Sequence, residues 1–258
     1  MIFLSDLDGT LIDKEGTMKN EDVQAIQTWT KENTFGFVTG RDEAYCENLM
    51  KKYQLQCDYL ITNNGANAYY KNKCLYSSLI DLSEVISICE SIIYKGKGNL
   101  FYTDEEGNRY FPITHDGMNA LVEFEKNQPG LGHFSRMDIL EYLSTRKTGC
   151  AKLSIQIDED IDTWLHTYRT LFDGVEVMKT SHDFIEITNK GTNKLNAFKS
   201  FGISECAFIG DGENDLALLE YLNHTYVMKH APKSILHTGI IVDSVAQAIQ
   251  IEGENEYV

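Results

Sequence analysis

The sequence predicts an α/β protein, a doubly wound parallel-sheet (Rossmann-like) core interrupted by an inserted α+β domain. Three observations lead there. Short apolar runs alternate with amphipathic helical segments at both ends of the chain. The middle third changes to paired strands separated by turns. The polar residues that close the terminal strands are acidic or glycine-rich. Alternating strands and helices require right-handed crossovers and so a parallel sheet, whereas consecutive strands read as antiparallel hairpins.

The first strand is the apolar run Ile2 to Leu4, too short for a helix and closed by the turn signal Asp6-Leu7-Asp8-Gly9-Thr10. Glu21 to Lys31 places Val23, Ala25, Ile26 and Trp29 at helical spacing, and Phe35 to Val38 is the second strand. Asp42 to Tyr53 is again helical, and Tyr59 to Ile61 is the third strand. These strands end in Asp6 with Asp8, in Thr39-Gly40-Arg41 and in Asn63-Asn64-Gly65, all pointing one way.

From about Asp81 the pattern is helix Leu82 to Tyr94, strand Leu100 to Thr103, a Glu-Glu-Gly-Asn turn, strand Arg109 to Pro112 and helix Gly117 to Lys126. Strand Ala151 to Ile157, helix Ile161 to Leu171 and strands Val175 to Met178 and Phe184 to Ile187 complete the insertion. Alternation returns with helix Asn193 to Phe201, strand Ala207 to Ile209, helix Asn214 to Tyr221, strand Tyr226 to Met228 and helix Val245 to Ile251. The expected division is a core of residues 1–80 and 186–258 around an insertion of residues 81–185.

A chain of 258 residues that is 42% hydrophobic buries a substantial core, in one large domain or two modest ones. Its 39 acidic residues outnumber 23 basic ones, giving a charge of −16 that argues against nucleic acid or an anionic membrane as general partner. An anionic substrate then needs local positive charge, from a metal, a lysine or oriented backbone amides. The six cysteines are scattered without zinc-ligand spacing. No run approaches the ~20 apolar residues of a membrane span, so a cytoplasmic location is expected.

Asp6 and Asp8 pose an electrostatic problem. Two carboxylates ~4 Å apart repel by ~4 kcal/mol at an effective dielectric of about 20, so the pair calls for solvent, a proton or a cation. An ordinary acidic turn is the plainer reading of these residues alone. A second acidic cluster, Gly210-Asp211-Gly212-Glu213-Asn214-Asp215, follows the strand Ala207 to Ile209, where helix capping is again the plainer reading. Together Asp6, Asp8, Asp211 and Asp215 offer hard oxygen ligands suited to magnesium. Thr39 and Gly40 supply a hydroxyl and amides of the kind that hold phosphate oxygens, and Lys194 supplies a positive charge.

In this order the motifs resemble those of the haloacid dehalogenase superfamily, and the insertion, with Thr62-Asn63-Asn64-Gly65-Ala66 ahead of it, resembles the Cof-type sugar-phosphate phosphatase branch. The resemblance implies a core with a cap domain, and a nucleophile at Asp6 that takes the phosphoryl group. It implies that Asp8 protonates the leaving oxygen and then activates water. It implies Mg2+ as cofactor, approached by the Asp6 carboxylate, the Asp8 main-chain carbonyl and Asp211, with Asp215 in support. Thr39, Gly40 and Lys194 would hold phosphate, Asn214 would join them, and Arg41 is a candidate for substrate or structural contacts. The expected partner is a small phosphorylated metabolite, the expected assembly a monomer or homodimer.

One departure is Leu195-Asn196 after the lysine, where relatives commonly carry glycine. Arg109, His115, Asp116 and His182 are candidate cap contacts in the insertion, with ordinary surface as the plainer reading of each. Asp158 to Asp162 begins like a calcium loop, but Thr163 and Arg169 stand where glycine and glutamate belong. Three other classes share some of the features. A phosphomutase of the phosphomannomutase type has the first motif but usually not Thr-Gly-Arg; a phospho-accepting receiver is about half as long; a non-catalytic binding protein need not keep all four acids and the lysine.

Overall fold

The computed structural model describes residues 1–95, 99–104, 107–112, 133–134, 138–157, 159–179 and 182–255. The chain divides into two compact units, Met1–Ser77 with Asn193–Val258, and Ser78–Thr192. The expected helix Gly117 to Lys126, the start of the Glu-Glu-Gly-Asn turn, His115, Asp116 and Asp158 lie outside the described residues.

In the first unit, β1 (Ile2–Ser5) pairs in parallel with β2 (Thr34–Val38) on one side and β12 (Ala207–Gly210) on the other. The parallel set extends through β3 (Tyr59–Thr62) at one end and through β13 (His224–Met228) and β14 (Ile240–Val242) at the other. Strands covered on both faces are apolar at consecutive positions, and β1 shows why. Phe3 joins the core beneath α1 (Asn20–Trp29) and the C-terminal helix Val245–Asn255, while Leu4 joins the opposite core with helices Lys194–Lys199 and Leu216–Tyr221. The Phe3 ring meets Trp29, Phe35 and Tyr226 at centroid distances of 5.9, 6.2 and 5.9 Å.

A hairpin of β4 (Asn67–Tyr70) and β5 (Lys73–Ser77) extends the sheet antiparallel beyond β3. The sequence reading had no strand there. Its two-residue turn puts Lys71 and Asn72 both at positive φ, +49° and +62°. Such turns are usually announced by Asn-Gly or Asp-Gly, and this one carries no glycine.

The second unit is a sheet ordered β10-β11-β9-β6-β7-β8. Its strands are Asn99–Asp104 (β6), Gly107–Pro112 (β7), His133–Phe134 (β8), Lys152–Gln156 (β9), Val175–Lys179 (β10) and Phe184–Asn189 (β11). All neighbours are antiparallel except β7 and β8. Leu100, Tyr102, Leu153, Ile155, Ile185 and Ile187 form one apolar face, covered by helices Leu82–Lys95, Ile139–Ser144 and Ile161–Tyr168.

Several boundaries differ from the sequence expectation. The return to the core, expected at 186, falls inside β11, which pairs with β10 as far as Asn189. Ser78 to Ile80 also lie with the second unit, where Ile80 donates to the Cys150 carbonyl. The helix expected from 161 to 171 tightens into a 3₁₀ turn over Arg169–Phe172, and the one from 214 begins as the 3₁₀ turn Glu213–Asp215. Asp160 accepts from the Thr163 amide as the N-cap of the helix that begins at Ile161. No helix among the described residues is long and apolar enough to cross a membrane.

Replacing Phe3 with alanine should remove the ring that three aromatic side chains pack on and cost about 3–5 kcal/mol. Urea unfolding followed by Trp29 fluorescence in a Trp164→Phe background measures this for the first unit alone.

Candidate active site

Asp6 is the first residue beyond β1, and its N–H donates to the Ile209 carbonyl of β12 at 2.9 Å. That bond sets the acid beside the loop 210–215. Leu7 is buried, and the Leu7 carbonyl accepts from the amides of Thr10, Leu11 and Ile12, which turns the chain sharply. Gly9 sits in this turn at φ +83°, where a Cβ would lie 2.2 Å from Asp211 Oδ2. Only glycine allows the two acidic loops this approach.

Lys194 Nζ lies 2.7 Å from Asp6 Oδ1 and 2.6 Å from Asp215 Oδ1, with the lysine side chain 1% exposed. The lysine opens a helix that Asn193 caps by accepting from the Asn196 amide. Asp215 uses its other oxygen to accept from the Asp211 and Gly212 amides at 3.2 and 3.1 Å. One carboxylate oxygen each from Asp6, Asp211 and Asp215 lies within 4.8 Å of the others. Asp211 itself is held by the Thr10 hydroxyl, which donates to Oδ1 at 3.1 Å, and lies with Oδ2 3.4 Å from His230 Nε2.

Burial dominates the electrostatics. It lifts the Asp6 carboxyl to about 8, with Lys194 pulling it back and Asp215 and Asp211 pushing it further. Burial raises Asp211 as well, against the Thr10 hydrogen bond. For Lys194 burial favours the neutral amine, but Asp215 and Asp6 outweigh it and raise its pKa. Three acidic side chains thus cluster, and the one ammonium touches two of them, Asp6 and Asp215. That donor set, all hard oxygens and short of positive charge, fits a divalent cation of the magnesium type.

The Asp8 side chain stands apart from this cluster: Asp6 is 5% exposed, whereas the Asp8 side chain is 47% exposed. Arg41 grips Asp8 through Nε at 2.9 Å to Oδ2 and through a second nitrogen at 2.5 Å to Oδ1, and its guanidinium stacks 4.6 Å above the Tyr45 ring. The repulsion expected between Asp6 and Asp8 is therefore relieved by two separate cations, and the Asp8 carboxylate is not one of the three that cluster. Arg41, left between two roles by the sequence, has a structural contact of its own.

Thr39 is buried, and its Oγ1 accepts from the Arg41 amide at 3.1 Å. Gly40 follows beside Asn64, and Asn214 donates through Nδ2 to Asn64 Oδ1 at 3.2 Å. The structure thus gathers Asp6, Asp211, Asp215 and Lys194 in one ionic cluster. It also groups Asp8 with Arg41, and Thr39, Gly40 and Asn214 with Asn64. The sequence reading assigned nothing to Thr10, Asn64 or His230. Thr10 and Asn64 lay in quoted motifs; His230 carried no local signal. Of the candidate cap contacts, Arg109 donates to the Tyr142 hydroxyl within the second unit and His182 is exposed beside Asp183.

Residues 3–244 match the family model of haloacid dehalogenase-like hydrolases, and the chain belongs to that family. A Haemophilus influenzae protein described as a candidate phosphatase is 23% identical over 242 residues, covering 88% of this chain and 85% of that one. Among solved structures, a subclass IIB sugar phosphatase of the same superfamily superposes with a TM-score of 0.75 at 18% identity, covering 100% of this chain and 99% of the other. A Plasmodium vivax protein described as a candidate HAD/COF-like hydrolase superposes with a TM-score of 0.78 at 20% identity, covering 98% of this chain and 95% of the other. The fold is that of these hydrolases.

Because the folded state keeps a proton on Asp6 that the unfolded chain has released, this group's stabilisation is complete below the unfolded carboxylate range and is lost as pH rises through about 8. Chelator-treated protein should therefore melt at lower temperature at pH 8 than at pH 5, and Asp6→Asn should flatten that dependence in a thermal-shift titration. Lys194→Met leaves buried carboxylates without their counter-ion and should cost about 3–5 kcal/mol in denaturant unfolding.

Proposed function

We propose that the protein is a magnesium-dependent phosphatase that hydrolyses small phosphomonoesters, sugar phosphates among them, through an aspartyl-phosphate intermediate on Asp6. The observation that carries this reading is the buried Lys194 amine between Asp6 and Asp215, with Asp211 in the same cluster. The family and the likeness to a subclass IIB sugar phosphatase support it.

Asp6 attacks phosphorus with a carboxylate oxygen, and the bond from phosphorus to the ester oxygen breaks. Asp8 gives its proton to that departing oxygen, then takes one from the water that attacks the acyl phosphate. Phosphate leaves and the Asp6 carboxylate is restored. Asp6 and Asp211, with the Asp8 main-chain carbonyl, would hold Mg2+, with Asp215 in support. The bound ion would supply positive charge to offset that of the ester and the acids. Lys194 keeps Asp6 oriented and adds positive charge. Thr39, Gly40 and Asn214 present a hydroxyl and N–H groups to the phosphoryl oxygens.

Asp8 stands half-exposed and apart from the buried cluster, where water and a leaving group can reach it. Both its oxygens accept from Arg41, so for Asp8 to carry and pass on a proton one of these bonds opens. Uncatalysed phosphate-monoester hydrolysis needs up to ~10²¹-fold acceleration, so capture by Asp6, charge stabilisation and proton transfer must act together.

A panel of phosphorylated metabolites assayed for released phosphate, with Mg2+ and with chelator, tests the reading. Turnover should require Mg2+, vanish in Asp6→Asn and fall by about 10²–10⁴-fold in Asp8→Asn. Normal turnover by Asp6→Asn excludes a covalent intermediate on that residue.

A further inference from the structure

At the loop that follows β3, three separate stretches of the first unit meet. Asn63, Asn64 and Gly65 are all left-handed, at φ +52°, +55° and +98°. Such a run is uncommon, and asparagine and glycine are the residues that enter this region most readily. The Asn63 amide donates to the Arg41 carbonyl at 2.9 Å and the Asn64 amide to the Thr39 carbonyl at 3.0 Å, tying the loop to the Thr39–Arg41 strap. Gly65 lies against the start of the lysine helix, where a Cβ would stand 2.2 Å from the Asn193 carbonyl oxygen.

The Asn64 side chain is buried at this junction. Its Oδ1 accepts from Asn214 Nδ2 at 3.2 Å, and a Cβ on Gly40 would come within 3.0 and 3.1 Å of its oxygen and nitrogen. The carboxamide therefore touches two of the groups assigned to phosphate. A carboxamide nitrogen carries two N–H groups, and this bond engages one of them, which fixes the direction of the other.

We propose that Asn64 is a positioning residue for phosphoryl binding: its carboxamide orients that of Asn214 and backs Gly40, so that both meet the phosphoryl oxygens in a fixed arrangement. The proposal rests on the phosphatase reading above. Its basis is geometric: one side chain spans from the strap after β2 to the acidic loop after β12. A polar contact held in register over that distance matters because small displacements of binding groups are costly to rate.

The test compares wild type, Asn64→Gly, Asn214→Ala, the double variant and Asn64→Asp, using p-nitrophenyl phosphate turnover in Mg2+ and inhibition by inorganic phosphate. Glycine keeps the left-handed backbone and removes only the carboxamide. Asn64→Gly should stay folded by thermal melting, lose on the order of tenfold in kcat/KM and bind inorganic phosphate correspondingly less tightly. The double variant should be no worse than Asn214→Ala, because the two residues act as one unit. Asn64→Asp keeps an acceptor for Asn214 and should retain more kcat than Asn64→Gly, while its added charge raises KM.

Activity of Asn64→Gly within about twofold of wild type overturns the proposal, as do losses that multiply in the double variant or a kcat of Asn64→Asp no higher than that of Asn64→Gly. Asp6→Asn, run alongside, separates the two levels. If it turns over normally, the phosphatase reading falls and takes this one with it. If it is inactive and the losses at 64 and 214 still multiply, this one alone falls.

Discussion

Everything at the candidate site depends on a lysine amine buried between two carboxylates. Lys194 meets Asp6 and Asp215 across 188 and 21 residues of chain, within an interior that rejects an unpaired charge. The arrangement cannot be taken apart one residue at a time. Without the lysine two acids lose their counter-ion; without Asp215 the amides of Asp211 and Gly212 lose their acceptor. With Asp211 added, the three acids outnumber the one lysine among them.

The sheet explains where this cluster sits. The chain runs from β1 out through β2 and β3, then returns to β12 on the other side of β1. Strand order therefore reverses at β1, and in open parallel sheets the crevice at the carboxyl end of such a reversal is where ligands bind. Asp6 and Asp211 stand on its two sides. Gly9 lets the loops that carry them approach, and the amide of Asp6 on the Ile209 carbonyl keeps the two strand ends level.

Much of this was legible before any coordinates. Phe3 and Leu4 belong to a run apolar at successive positions, which is what a strand buried on both faces requires, and helical spacing at Val23, Ile26 and Trp29 marked α1. The acids of both loops were singled out by residue type and by their place after an apolar run. Other features carried too little local signal. The Lys71–Asn72 turn lacks the glycine that identifies most such hairpins. The helix Ile139–Ser144 has only six residues, too few for helical spacing to mark it, although Asp138 precedes it as a cap. The boundary expected at 185 cuts a strand that the sequence itself gives to the insertion and that pairs with β10 as far as Asn189.

By itself the sequence determined the alternation of strand and helix, the interruption of one domain by another, and which side chains carry charge at the strand ends. Those are local properties, written in spacing and residue type. Only the tertiary structure decided the partnerships: Asp6 with Lys194, Asp8 with Arg41, Asn64 with Asn214. Each joins residues at least 33 positions apart, and no periodicity records which of several buried charges will share a cavity. The pairing follows from how loops at neighbouring strand ends pack, a matter of a few ångströms that glycine at 9 permits and a larger residue would forbid.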